Sequence, residues 1–159
     1  MLDEAEITAT DVHVLSDVED SYNREFMQYA DILFLSDESI PCEPEQFLRK
    51  LKETYACKII VMGRGGKGAM LYERSRDCVF SLEAAKAEKI VNTVGAGDAL
   101  FSGFLHFYGK GYAPIEALKR AEVFAAIKIG YNGASVGFAR EEAVQQTYES
   151  QNEKSVPLL

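Results

Sequence analysis

Apolar side chains recur along this chain with two periods, and the switches between them predict its elements. Val12 to Leu15, Ile32 to Leu35 and Lys58-Ile59-Ile60-Val61-Met62 are short runs of strand character. Between them the spacing is helical. Tyr22 to Tyr29 fits a short helix, and after Pro44 the residues Phe47, Leu48, Leu51 and Tyr55 recur at i, i+1, i+4 and i+8, with proline where a first helical turn tolerates it. Unbroken apolar runs separated by helices read as buried parallel strands of an α/β sheet, since half-exposed strands alternate apolar with polar.

The pattern changes at Gly63. Ala69-Met70-Leu71-Tyr72 and Cys78-Val79-Phe80 flank the polar stretch Glu73-Arg74-Ser75-Arg76-Asp77, which predicts a hairpin. Lys89-Ile90-Val91 reads as a further short strand. It leads through Asn92-Thr93-Val94-Gly95-Ala96-Gly97-Asp98 into a helix whose apolar face is marked by Phe101, Phe104, Leu105 and Tyr108 and which Gly109 and Gly111 end. Pro114 opens another helix through about Ile129, with Ile115, Leu118, Ala121, Ala125 and Ile129 inward. Gly130 and Gly133 bracket a loop, Arg140 to Glu149 forms a last helix, and the polar tail from Ser150 is expected to fray. No repeat or linker interrupts the pattern, so residues 1–159 are expected to form one domain.

Composition narrows the classes. The chain has 159 residues, 47% of them apolar, enough to bury a core without disulfides or a structural metal. Its 17 basic and 25 acidic side chains give a net charge of −8, which argues against nucleic acid as a partner, because phosphate-backbone affinity needs clustered Lys and Arg. The acidity is uneven. Residues 1–50 hold three basic and thirteen acidic side chains, the remainder fourteen and twelve, so an anion site is expected in the later part. The longest apolar stretches, such as Val123 to Ile127, are far too short to span a membrane. Cys42, Cys57 and Cys78 are odd in number, lack Cys-x-x-Cys spacing and have no signal peptide ahead of them, which points to the cytoplasm. They read as small buried or half-buried residues. His13 and His106 stand at no metal-binding spacing, and a zinc site has little support.

Two glycine-rich segments could carry chemistry. Gly63-Arg64-Gly65-Gly66-Lys67-Gly68 fits G-x-G-x-x-G after a strand, but a β-type run follows where the dinucleotide fingerprint requires a helix, and no Ser or Thr follows Gly-Lys as a P-loop requires. It is either a strand-to-hairpin turn or a place where nucleotide passes close to backbone lacking Cβ atoms. Gly95-Ala96-Gly97-Asp98 joins a strand to a helix. The first amides of a helix lack intrahelical partners and its dipole favours negative charge there, so two glycines would let a phosphoryl group approach. An acid at that spot repels phosphate, yet it makes sense as a base that accepts a hydroxyl proton while the amides stabilise the transferred group. The competing reading of Asp98 is a helix-capping carboxylate.

Asn92 to Phe104, thirteen residues, resembles the C-terminal signature of the ribokinase-like, or PfkB, carbohydrate kinases. The similarity extends to Ala30-Asp31-Ile32-Leu33-Phe34, Gly65-Gly66-Lys67-Gly68-Ala69 and Gly130-Tyr131-Asn132-Gly133-Ala134, and within the family it is nearest to ketohexokinase-like members. The resemblance implies a three-layer α/β sandwich with a mainly parallel sheet, present as a partial fold. It implies Asp98 as catalytic base, Gly95, Ala96 and Gly97 as anion hole, and Gly65, Gly68, Asn132 and Gly133 along the nucleotide. ATP with Mg2+ would be the phosphoryl donor and a sugar the acceptor. The chain departs from the family in having Ser36-Asp37-Glu38-Ser39 where Asn-x-x-Glu is frequent, leaving Asp37 and Glu38 as the acidic candidates for magnesium. Gly63 replaces a common threonine. Asn92 replaces an aspartate that serves a monovalent cation in some members, which leaves cation dependence open.

Family members are about twice as long, so the resemblance also implies that residues 1–159 are the C-terminal, nucleotide-binding half, with the sugar-binding and lid half absent. Little or no turnover is then expected of these residues alone, and the exposed sheet edge is expected to pair with that half or with a second copy. The alternative is a nucleotide-binding module of the same fold without catalysis.

Overall fold

The runs of strand character between Val12 and Phe80 become adjacent strands of one sheet. The computed structural model describes residues 6–153, and the chain divides after Leu82 into two compact units. The first contains β1 (Ala9–Val14), α1 (Arg24–Tyr29), β2 (Ile32–Ser36), α2 (Pro44–Thr54), β3 (Ile59–Gly63), β4 (Ala69–Glu73) and β5 (Cys78–Leu82). The strands lie side by side in chain order. β1, β2 and β3 are mutually parallel, β4 is antiparallel to β3 and β5 antiparallel to β4, so four of the five strands point the same way.

Each parallel crossover is made by a helix, and the apolar stripes of those helices form the core. Met27 of α1 and Phe47, Leu48 and Leu51 of α2 are buried with Leu33 and Leu35 of β2, Ile60 and Met62 of β3 and Tyr72 of β4. Burial of side chains this size contributes about 1.5–3 kcal/mol each. β2, β3 and β4 are buried at four successive positions each, which is why their sequences do not alternate. The strand starts are tied by Asp31. Its carboxylate accepts the Thr8 amide at 3.0 Å and an ion pair from Lys58 at 2.9 Å, while its carbonyl accepts the Lys58 and Ile59 amides. The Thr8 amide and the Lys58 ammonium hold the carboxyl below the usual carboxylate range. At the hairpin, Arg74 donates to the carbonyls of Lys52, Tyr55 and Cys57, satisfying the end of α2. β1 borders the sheet, and between Asp11 and Val14 its register slips, with His13 at φ +58°.

The second unit begins at Glu83 and contains α3 (Ala96–Gly109), α4 (Pro114–Lys128) and α5 (Glu141–Glu153). A Cβ on Gly103 would stand 3.0 Å from the Phe124 ring and 3.3 Å from the Ala121 Cα, so glycine lets α3 and α4 approach closely. The buried positions of α3 are Ala99, Leu100, Gly103, Phe104 and Phe107, a stripe at i, i+1, i+4, i+5 and i+8. Of the predicted face only Phe104 is fully buried, and Phe101, Leu105 and Tyr108 are half-buried, because the packed stripe is rotated from the predicted one toward Gly103, where α3 approaches α4 most closely. On α4, Leu118 and Ala121 are buried as predicted, whereas Ile115, Ala125 and Ile129 are half-buried. The Arg120 guanidinium lies 4.3 Å and 4.2 Å from the ring centroids of Tyr112 and Tyr148 and bonds Glu116 and Gln145, joining α4 to α5.

One predicted element is corrected. Lys89-Ile90-Val91 is not a strand. The amides of Val91 and Asn92 both donate to the Ile129 carbonyl, so the segment is tied to the end of α4 and has no ladder, and Ile90 and Val91 are exposed. The last helix runs on to Glu153, so Ser150 to Glu153 are helical, and the rest of the expected tail lies outside the described residues.

Glu122 of α4 is buried without an ion partner among the described residues, and it accepts a hydrogen bond from the Ala85 backbone. Desolvation raises its carboxyl from 4.5 to about 7. Its contribution to stability is therefore fully present below pH 4.5 and lost as pH rises through about 7. Glu122→Gln is expected to flatten the pH dependence of Tm between pH 5 and 8 and to stabilise the protein at pH 8 by up to about 3 kcal/mol. Chemical denaturation at pH 5 and pH 8 checks this, and an unchanged pH profile would refute it.

Candidate active site

The switch from extended chain to helix at residues 92–98 is built by backbone geometry. Asn92 turns the chain by accepting the Val94 amide at 2.9 Å through its side-chain oxygen, and its amide nitrogen donates to Asn132 Oδ1 at 3.0 Å. Gly95 caps α3 in the left-handed region, at φ +82° and ψ 5°, and contributes no side-chain cap bond. The Ala96 amide reaches the Thr93 carbonyl and the Ala99 amide reaches the Gly95 carbonyl. Those of Gly97 and Asp98 find no acceptor among the described residues. Two unpaired donors at the positive end of a fourteen-residue helix attract an anion.

Asp98 is the third residue of α3 and is exposed. Its backbone carbonyl accepts the Ser102 hydroxyl at 2.8 Å, but its carboxylate takes no hydrogen bond from the helix amides. The capping reading is thus absent from the geometry. A Cβ on Gly97 would meet nothing within 4 Å, so the approach to these amides is open.

Behind Gly95 stands the loop after α4. A Cβ on Gly95 would lie 3.3 Å from the Ala134 carbonyl oxygen and 3.7 Å from Lys128 Cε. The Lys128 ammonium donates to the Gly133 carbonyl at 2.6 Å. Gly133 is at φ +109°, and Asn132 is exposed. The structure therefore brings together Gly95, Ala96, Gly97, Asp98, Asn132 and Gly133, and adds Lys128, which the sequence reading missed. The signal was present, since Lys128 sits between Ile127 and Ile129 at the end of an apolar run.

The remaining candidates belong to the first unit, at the ends of β2 and β3 where parallel sheets bind ligands. The Asp37 amide donates to the Gly63 carbonyl at 3.0 Å, and the Arg64 amide to the Gly68 carbonyl at 2.8 Å. Residues Gly65–Lys67 make one 3-10 turn, with Gly65 at φ +53° and Gly68 at φ +86°. The Asp37 carboxylate lies 3.7 Å from Arg64 Nε, too far for a hydrogen bond, and that buried nitrogen has no acceptor. Glu38 is exposed, and its amide donates to Ser36 Oγ. The Asp37 carboxylate is thus ion-paired with Arg64, while carboxylate oxygens at Asp37 and Glu38 are of the hard type that magnesium prefers.

Comparison with known proteins decides the family. Residues 12–140 match the profile of the pfkB family carbohydrate kinases. This chain belongs to that family. The pfkB chain is 33% identical over 116 residues to the fructosamine kinase FrlD of Bacillus subtilis, covering 73% of this chain and 40% of the relative. It is 30% identical over 106 residues to an ATP-dependent 6-phosphofructokinase of Thermoanaerobacterium thermosaccharolyticum, covering 67% and 32%. Among solved structures, a microbiome-derived acarbose kinase superposes with a TM-score of 0.82 at 21% identity, covering 91% of this chain and 48% of that one. A ribokinase II from Escherichia coli, in complex with ATP and Mg2+, superposes with a TM-score of 0.76 at 19% identity, covering 91% and 49%. The fold is ribokinase-like, and the chain spans about half the length of these structures and less than half of the curated relatives. Among the described residues no helix is long and apolar enough to cross a membrane.

The glycines of the helix start separate by conformation. Gly95→Ala forces a side chain into a left-handed backbone against the Ala134 carbonyl and is expected to cost about 1–2 kcal/mol or more. Gly97→Ala enters open space within a helix and is expected to leave stability unchanged or raise it by up to about 1 kcal/mol. Thermal unfolding of the pair checks the contrast, and equal effects would contradict it.

Proposed function

We propose that this chain carries the nucleotide-binding and proton-accepting machinery of an ATP-dependent sugar kinase. The observation that carries the reading is the start of α3, where unpaired amides at Gly97 and Asp98 adjoin an exposed carboxylate that caps nothing. The γ-phosphoryl group of Mg-ATP would sit against the Gly95–Gly97 turn, its negative charge met by the amides and the helix dipole. Asp98 would accept the proton of the sugar hydroxyl as that oxygen attacks phosphorus and the bond to the β-phosphate oxygen breaks. Asn132 and Gly133, in the same unit as the Gly95–Gly97 turn, would lie along the nucleotide, and Gly65 and Gly68 are the nucleotide-side candidates of the first unit. Asp37 and Glu38 are the first unit's candidates for holding a hard cation such as magnesium, which would supply charge neutralisation to bound phosphate. The solved ribokinase II complex with ATP and Mg2+ and the family's carbohydrate kinases support this assignment.

The acceptor is a sugar or sugar-like alcohol, and we assign its positioning to the part of such kinases that this chain does not span. On this reading residues 1–159 alone bind nucleotide but turn over no sugar.

The test is Asp98→Asn in a polypeptide of full family length that contains these residues. The expected result is a fall in kcat of roughly 10²- to 10⁴-fold with ATP affinity unchanged or slightly better, since a negative charge beside phosphate is removed. A non-catalytic nucleotide-binding module would have no phosphorylation to lose, and a wild-type protein that binds ATP without transferring phosphate to any sugar would favour it. Gly97→Ala, neutral for folding, is expected to weaken ATP because its methyl group occupies the phosphate's approach. Undiminished ATP binding by that variant would remove the anion hole from the Gly95–Gly97 turn.

A further inference from the structure

Lys128 closes α4 with its side chain fully buried, and the reaction outlined above gives it no part. Burying an ammonium is costly unless opposite charge or several acceptors compensate it. Among the described residues its three donors meet one carbonyl, that of Gly133 at 2.6 Å, and the ammonium stands 5.8 Å from the Phe138 ring centroid. That is a thin set of partners for a buried cation. The side chain instead runs behind the cap of α3, with Cε 3.7 Å from the point where a Gly95 Cβ would stand. The amides of Gly97 and Asp98, which lack acceptors, lie in the same turn.

The position answers an electrostatic problem at the site. Asp98 brings a full negative charge to the place where phosphate would bind, whereas a helix N-terminus supplies only about half a positive charge. A lysine fixed behind the cap supplies a whole one. Because it is buried it is screened little by salt and reorganises little when the anion arrives.

We infer that Lys128 is a positioning residue of the phosphate site: its charge offsets Asp98 and attracts the outer phosphates, while its bond to Gly133 holds the Gly133–Ala134 segment against Gly95. The inference rests on the kinase reading, since it takes an anion at the start of α3 as given. It goes beyond that reading in assigning phosphate affinity to a side chain that touches neither nucleotide base nor sugar.

The test separates charge from tether. Lys128→Gln keeps a donor for the Gly133 carbonyl and removes the charge, and Lys128→Arg keeps the charge. In a polypeptide of full family length, calorimetry with ATP, tripolyphosphate and adenosine reads the effect. Lys128→Gln is expected to weaken ATP and tripolyphosphate roughly tenfold to a hundredfold and to leave adenosine within about twofold, with Lys128→Arg recovering part of the loss. If ATP and adenosine weaken alike, or neither changes, Lys128 is a structural tether and the inference is overturned. Should circular dichroism show that Lys128→Gln does not fold, Lys128→Met is measured in its place, with the same two outcomes. A wild-type protein that binds adenosine but neither ATP nor tripolyphosphate defeats the kinase reading itself, whereas wild-type binding with an indifferent Lys128 variant defeats only the inference.

Discussion

A helix must begin somewhere, and its first amides must find an acceptor, a solvent molecule or a ligand. That constraint governs the part of this protein where chemistry can occur. Gly95 starts α3 from a left-handed conformation, so the chain enters the helix without a capping side chain and leaves the amides of Gly97 and Asp98 unpaired. Serine or aspartate at position 95 would bring a side-chain oxygen to the second and third amides as a cap. The glycine costs conformational entropy, and the turn is held nonetheless by the Asn92 side chain, by the Ala134 carbonyl packed behind it and by Lys128.

Charge is handled differently in the two units. In the sheet unit Asp31 is ionised and partnered by an amide and an ammonium, and Asp77 lies within 2.6 Å of Lys52. These are structural pairs with both ends answered. The helical unit holds buried groups that are answered less fully. Glu122 accepts a backbone donor and is driven toward its neutral form, and Lys128 has one carbonyl. Arg120 shows that this unit can satisfy a buried cation completely, with two aromatic faces, a carboxylate and an amide around it. Against that standard Lys128 is incomplete, which is why it is read as facing a ligand's charge.

Much of this was legible in the residues. The runs Ile32 to Leu35 and Ile59 to Met62 marked the parallel strands because strands buried on both faces cannot alternate, and Pro44 and Pro114 marked two helix starts. The junction at Gly95 to Asp98 was legible because glycine, the change of period and a lone acid coincide there. Lys89 to Val91 was misread since β-branched residues in a short run resemble a strand whether or not a neighbour offers a ladder, and only the fold shows both amides going to Ile129. The buried face of α3 was drawn through the large residues, whereas packing against α4 is closest at Gly103. Lys128 was passed over for another reason: its place in an apolar run was visible, but a lysine there reads as an amphipathic side chain reaching water, and its burial depends on a loop that returns five residues later.

The third position of α3 suits a base better than the cap position would. A carboxylate at the cap spends its lone pairs on the second and third amides, which lowers its basicity and fills the anion site with its own charge. Three residues further on, after Gly97, it is not bonded to the first amides, so a phosphate and a proton acceptor would have separate places. On the proposed reading the repulsion between them would be a matter of total charge and not of geometry, to be relieved by the helix dipole together with a cation placed where it competes for neither. An acid so placed without such a cation would hold its proton acceptor ready at the expense of the nucleotide.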